Sequence, residues 1–334
     1  MTPPAPLRAG VFGAGAWGTA LAIQLARSGH TVRLWGRDPQ QVRALNQDRE
    51  NARYLPGVCL PEGVSAVHSI RAAAENSELL MIASPTHAFQ SLLEQLAPWA
   101  IKKGLSWACK GFEPGGGRLL HELARERLGD TPVAILTGPS FASEVARDLP
   151  TAVTVAGTHS EYTATVAKSF HHGSFRAYTS KDMVGAELGG AVKNVLAIAT
   201  GMCDSLALGS NARAALVTRG LAEMMRLGHA MGARSETLMG LAGMGDLVLT
   251  CTGEESRNRR FGLLLGAGAE VSDALKRIGQ SVEGVAASLE LRRLARKFSV
   301  KMPISKQVHG IVHKGWDPEE GVRRLLAREQ KPEH

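Results

Sequence analysis

A lysine and an asparagine stand inside an otherwise apolar run, Gly189-Gly190-Ala191-Val192-Lys193-Asn194-Val195. A mid-helix lysine in such a run must be paired or snorkel outwards, because an unpaired charge away from water is strongly disfavoured. Gly189 and Gly190 remove side chains from the preceding turn and leave room for a ligand or another backbone. Buried lysines readily shift their pKa, which suits general acid-base work near neutral pH. Further along, Asp246 lies alone between Gly240-Leu241-Ala242-Gly243-Met244-Gly245 and Leu247-Val248-Leu249, four residues before Thr250 and on the same helical face. A lone Asp among apolar residues needs a partner, and Lys193 is the candidate. Next, Ser256, Arg257 and Asn258 supply hydroxyl, guanidinium and amide donors in what reads as a loop. Such a set suits a phosphate dianion; the alternative is an exposed basic loop.

Two further polar groups fall at the ends of apolar strands. Lys110 follows Leu105 to Cys109, and Ser140 lies in Gly138-Pro139-Ser140-Phe141-Ala142 after the strand ending at Thr137. Both occupy the carboxyl edge where open α/β sheets bind ligands. A strand-end lysine can also be merely solvated, and Pro139 with Ser140 can simply start a helix.

The elements that must position these groups begin with Gly13-Ala14-Gly15-Ala16-Trp17-Gly18, which follows a strand over residues 7–12 and opens a helix. In that context GxGxxG is a dinucleotide fingerprint. Gly13 allows the tight turn, Gly15 the approach of a pyrophosphate, and Gly18 close helix-to-strand packing, with the helix N-terminus attracting negative charge. The second strand ends at Trp35-Gly36-Arg37-Asp38. Arg37 can pair with a ribose 2′-phosphate, which predicts acceptance of NADPH; Asp38 keeps NADH open or caps a helix.

Apolar strands at 79–83, 105–109, 133–137, 151–156 and 175–178 alternate with helical segments, which predicts a parallel, doubly wound Rossmann-type sheet. Past residue 180 helical periods dominate: 184–201, 212–231, 235–249, 271–278, 284–297 and 303–309. The expected organisation is an α/β dinucleotide-binding domain over 1–180 and an all-helical substrate domain over 181–334, joined directly.

The chain has 334 residues, 44% of them hydrophobic, which suits two packed cores. No apolar run approaches the roughly 20 residues that span a bilayer, and no secretion signal is read at the N-terminus. Four scattered cysteines, none in a CxxC pair, fit reduced thiols in the cytoplasm. His121-Glu122 begins an HExxH pattern, but residue 125 is Arg, so no metal is expected. The net charge of +8 is spread along the chain with only 5% aromatics, which favours anionic small molecules over nucleic acid. Arg292, Arg293, Arg296 and Lys297 read as a solvated helix face.

Six ordered segments resemble the NAD(P)-dependent glycerol-3-phosphate dehydrogenase family: GAGAWGTALA (13–22), LWGRDP (34–39), CKGFE (109–113), GPSFASEV (138–145), GGAVKNVLAI (189–198) and LAGMGDLVLTCTGEESRNRRFG (241–262). GQSVEG (279–284) is similar to the family's late cofactor segment. The resemblance implies a Rossmann domain plus a helical domain with the active site between them, a homodimer, a phosphorylated small-molecule substrate, and NADPH or NADH as cofactor. It implies Lys193 as acid-base, with Lys110 and Asp246 assisting. Lys110, Gly138, Ser140, Lys193, Asp246, Ser256, Arg257 and Asn258 would line the substrate. Ala16, Trp17, Arg37, Lys110, Ala142, Arg257, Val282 and Glu283 would lie near the cofactor, together with the glycines 13, 15 and 18. Cys109 and Ser140 stand where Thr is common in the family, and either can tune substrate affinity. A two-domain reductase of carboxylate substrates shares this plan, whereas a dinucleotide sensor without turnover would leave Lys193 and Asp246 idle.

Overall fold

The computed structural model describes residues 6–326. Its strands are β1 (Arg8–Phe12), β2 (Thr31–Trp35), β3 (Glu50–Asn51), β4 (Leu55–Cys59), β5 (Val64–Val67), β6 (Leu79–Ile82), β7 (Leu105–Trp107), β8 (Val133–Thr137), β9 (Thr151–Gly157) and β10 (Phe175–Ser180). The helices between them are α1 (Ala16–Arg27), α2 (Pro39–Asp48), α3 (Ile70–Ala74), α4 (Phe89–Lys103), α5 (Leu120–Leu128), α6 (Ala142–Ala146) and α7 (Ser160–Phe170). Eight strands form one sheet in the order β10-β9-β8-β7-β6-β1-β2-β5. By contacts the chain divides into two compact units, the first running to Glu113 and from Arg118 to Glu187, the second comprising Pro114–Gly117 and everything from Leu188.

Alternation along β1 explains how the first unit is layered. Ala9 and Val11 join a core with Leu21 and Leu25 of α1, while a Cβ at Gly10 would collide with the Ala73 carbonyl of α3. Helices therefore cover both faces of the sheet. All four residues of β6 are buried for the same reason, and the strand reads as an unbroken apolar run.

The expected parallel, doubly wound sheet has one antiparallel pair, where the strands over 151–156 and 175–178 extend it. β8 and β9 run antiparallel, whereas the remaining neighbours in the large sheet are parallel. The cause is the connection, whose helix α6 has only five residues. At 1.5 Å per residue such a helix is about 7.5 Å long, too short to carry the chain back along a five-residue strand. The β3–β4 hairpin and edge strand β5 were not expected either. β4 carries Pro56 and Gly57, which suppress a strand pattern and are tolerated only at an edge.

The second unit contains the rest of α8 (Met183–Ser205), then α9 (Gly209–Ala230), α10 (Ser235–Met239), α11 (Asp246–Thr252), α12 (Arg257–Gly266), α13 (Val271–Ile278), α14 (Glu283–Lys297), α15 (Pro303–Lys314) and α16 (Pro318–Leu326). Every residue from 191 to 200 is buried, so this stretch of α8 has no solvent-exposed face. Three expectations change here. The helix expected over 235–249 is broken by a π-helical turn, Leu241–Gly245, closed by Gly245 N–H donating to the Gly240 carbonyl at 3.0 Å. The expected Ser256–Gly262 loop is instead the N-cap and first turns of α12. The helix expected over 303–309 continues to Lys314, with α16 beyond it.

Glycines set how closely α12 approaches α8. A Cβ at Gly201 would collide with the Arg259 carbonyl, and one at Gly262 with the Ile198 carbonyl. Gly262→Ala is expected to destabilise the protein by about 1–3 kcal/mol through overpacking, read as a lowered urea midpoint; an unchanged midpoint would show that the two helices separate freely.

Candidate active site

The three fingerprint glycines do three different jobs. Gly13 sits at φ +133, and a Cβ there would meet the Ala83 carbonyl oxygen at 2.6 Å. At Gly18 a Cβ would collide with the Gly13 carbonyl, so α1 can pack against the turn only without one. Nothing lies within 4 Å of a Cβ built at Gly15, which is the N-cap of α1 and faces open space. No side chain caps this helix and no acid occupies its first turn. Its free N–H groups and positive dipole end thus meet a cradle that a side chain would fill, and the site fits a dinucleotide pyrophosphate.

The turn is braced by two residues that sequence reasoning missed. Gln41 Nε2 donates to the Ala14 carbonyl at 2.6 Å, and Asn51 Nδ2 donates to the same oxygen at 3.1 Å and to Thr19 Oγ1 at 2.7 Å. Asn51 is 2% exposed and reaches the turn from the hairpin strand β3. Only tertiary placement reveals it, since 37 residues separate it from Ala14. Trp17 packs against the core cluster, and Ala16 is the first residue of α1. Arg37 is exposed just past β2, whereas one carboxylate oxygen of Asp38 caps α2 by accepting from Gln40 N–H at 2.8 Å.

Lys110, Gly138 and Ser140 converge at the carboxyl edge of β7 and β8. Lys110 Nζ and Ser140 Oγ both donate to the Gly138 carbonyl at 3.0 Å. Gly138, whose carbonyl both groups share, sits at φ +132. Ala142 opens α6, so the helix start considered for Pro139 and Ser140 falls two residues later than Ser140.

In the second unit Lys193 and Asp246 form a hydrogen-bonded ion pair, with side chains 9% and 1% exposed. Lys193 Nζ also donates to Thr250 Oγ1 at 2.8 Å. Asp246 is the first residue of α11, placed there by the π turn. That turn fits because a Cβ at Gly189 would collide with the Ala242 carbonyl. The space left by Gly189 is therefore occupied by backbone. Cys251, next to Thr250, has its thiol pushed up to about 12 by burial, so it is not a nucleophile near neutral pH.

Ser256, Arg257 and Asn258 come together with the late cofactor segment, but in different roles from those of a donor loop. Ser256 Oγ accepts from Arg259 N–H at 3.2 Å and caps α12. Asn258 Nδ2 donates to Asn194 Oδ1 at 2.9 Å, and its Oδ1 accepts from Gly284 N–H at 2.9 Å. Of the three only Arg257 is exposed; the protein around its guanidinium lowers its pKa by desolvation, which the Glu283 carboxylate partly opposes. Val282 is the N-cap of α14 and Glu283 its first residue. His121, of the incomplete zinc pattern, pairs with Glu187 instead, Nδ1 to Oε2 at 2.6 Å. Among the described residues no three His, Cys, Asp or Glu side chains gather as metal ligands.

Removing one partner of a buried ion pair leaves the other charge uncompensated. Asp246→Ala is expected to destabilise the protein by about 3–5 kcal/mol, measured by chemical denaturation; a loss below about 1 kcal/mol would mean that Lys193 escapes to solvent.

Comparison with known proteins accounts for both halves of this arrangement. Residues 8–163 match the model for the NAD-dependent glycerol-3-phosphate dehydrogenase N-terminus, and residues 182–323 match that for its C-terminus. A glycerol-3-phosphate dehydrogenase [NAD(P)+] of Stenotrophomonas maltophilia is 56% identical over 326 residues, covering 97% of this chain and 96% of that protein. The crystal structure of glycerol-3-phosphate dehydrogenase from Coxiella burnetii superposes with a TM-score of 0.93 at 46% identity, covering 97% of this chain and 99% of that one. The enzyme from Saccharomyces cerevisiae gives 0.81 at 25% identity, covering 97% and 100%. With both family models matched in order along one chain and a relative this similar over nearly its whole length, the protein belongs to the NAD-dependent glycerol-3-phosphate dehydrogenase family.

Proposed function

We propose that this protein reduces the C2 carbonyl of dihydroxyacetone phosphate with NADPH or NADH to give sn-glycerol 3-phosphate, the precursor of glycerophospholipids. The observation that carries the reading is the buried Lys193, held by Asp246 and Thr250. An ammonium oriented by a carboxylate and a hydroxyl is positioned to give a proton to a carbonyl oxygen.

When bound, the nicotinamide supplies the hydride that reaches C2. As the carbonyl electron pair moves onto oxygen, Lys193 Nζ gives that oxygen a proton, leaving a neutral amine that solvent reprotonates. Asp246 orients Nζ throughout. Lys110 adds positive charge beside the developing alkoxide. Arg257 takes the phosphate, with Ser256 and Asn258 fixing the start of its helix. Gly138 and Ser140 shape the floor beside Lys110. Backbone N–H groups at Gly15 and Ala16 would hold the pyrophosphate, and Trp17, Ala142, Val282 and Glu283 would contribute to binding the dinucleotide.

Arg37 determines which dinucleotide is preferred. Its guanidinium is exposed, whereas Asp38 is engaged in the α2 cap. The protein is a homodimer of the cytoplasm in this reading and needs neither nucleic acid nor a membrane; no described helix is long and apolar enough to cross one.

The purified protein should consume NAD(P)H absorbance when dihydroxyacetone phosphate is added, and faster with NADPH. Arg37→Ala should lower kcat/KM for NADPH about tenfold and leave that for NADH within about twofold. Failure to oxidise either cofactor would overturn the reaction, and equal losses for both would remove Arg37 from the 2′-phosphate site.

A further inference from the structure

Between Lys110 and α5 the chain makes an excursion. At its base Glu113 N–H donates to the Arg118 carbonyl at 2.9 Å, and Arg118 grips the Glu113 carboxylate through Nε at 2.6 Å and Nη2 at 2.7 Å. Phe112 is buried beside this clamp. The tip, Pro114-Gly115-Gly116-Gly117, packs as part of the second unit. There Gly115 N–H donates to Glu290 Oε1 at 2.8 Å.

Glu290 lies on α14 and is only 3% exposed. Arg293 Nη1 donates to its two oxygens at 3.0 and 2.9 Å, compensating the charge. Gly115 and Gly117 adopt φ +82 and +66, and a Cβ at Gly117 would come within 3.3 Å of Glu290 Oε2. A buried helical position facing a core is normally apolar, and an acid there demands a task. The task on view is to accept one backbone N–H from a segment whose three consecutive glycines give it little stiffness of its own.

We propose that Glu290 is a positioning residue for the reduction: its carboxylate latches Gly115 and so keeps the 110–118 segment, with Lys110 at its head, in the conformation that binds substrate. The proposal rests on the reading of Lys110 as a substrate-binding residue. A segment ordered only part of the time raises apparent KM by the inverse of that fraction, while leaving the rate of the bound complex nearly intact.

Three variants separate reach from charge. Glu290→Gln keeps an acceptor at the right distance but loses the charge. Glu290→Asp keeps the charge but draws the acceptor back by about 1.5 Å, one carbon–carbon bond. Glu290→Ala loses both. At saturating NADPH the Asp and Ala variants should show a KM for dihydroxyacetone phosphate raised about tenfold, with kcat within about twofold and the Gln variant near wild type. Hydrogen exchange in the peptide spanning 113–118 should quicken in Glu290→Asp and not in Glu290→Gln, a readout available even if Glu290→Ala does not fold. A raised KM in Glu290→Gln with a normal KM in Glu290→Asp would overturn the latch in favour of charge alone. Unchanged KM in both, with only the melting temperature lowered, would reduce Glu290 to a structural residue. Lys110→Ala, assayed alongside, separates the two levels. An unchanged KM there removes the reading of Lys110, whereas a raised KM with normal Glu290 variants removes the latch alone.

Discussion

An ammonium and a carboxylate placed out of water cost several kcal/mol each in lost hydration, and they persist only where geometry restores what solvent gave. Lys193 and Asp246 meet that condition in the second unit, and much of its architecture follows from the requirement. The stretch of α8 around Lys193 is buried on every side. Asp246 reaches it because a π turn rich in glycine packs against Gly189, a contact that any Cβ would prevent. Thr250, one helical turn beyond Asp246, adds a second acceptor for the same Nζ. Asn258 ties α8, α12 and the start of α14 together through Asn194 and Gly284, so the ion pair, the exposed Arg257 and the Val282–Glu283 segment share one hydrogen-bonded frame.

The first unit solves a different problem with less side-chain chemistry. A dinucleotide phosphate is recognised by backbone N–H groups, so what the sequence must supply there is absence: no Cβ at Gly15, none at Gly18, and a turn at Gly13 that other residues rarely adopt. The Ala14 carbonyl, doubly hydrogen-bonded by Gln41 and Asn51, keeps that turn from relaxing.

The fingerprint, the strand-and-helix alternation and the switch to helical periods were legible because each is a local pattern with a fixed period or spacing. Lys193 with Asp246 was legible for a different reason: two unmatched charges in apolar surroundings each demand a partner. Ser256–Asn258 misled, since three polar residues in a row look like a loop, yet Ser256 is an N-cap, a position that selects polar side chains for the same hydrogen-bonding capacity. The antiparallel β8–β9 pair depends on the length of α6, which stops at Ala146 shortly before Asp148 at φ +61. Asn51, Gln41 and Glu290 were invisible because each reaches a backbone group far away in sequence, Ala14 C=O for the first two and Gly115 N–H for the third, and a backbone N–H or C=O carries no sequence signal.

If Lys193 delivers the proton that accompanies hydride transfer, its loss must slow that transfer itself. A single-turnover measurement on Lys193→Met, mixed with saturating NADPH and dihydroxyacetone phosphate, tests it most directly. Hydride transfer should slow on the order of 100- to 10,000-fold, the range for loss of a general acid, with NADPH affinity little changed. Near-normal hydride transfer in that variant would contradict it.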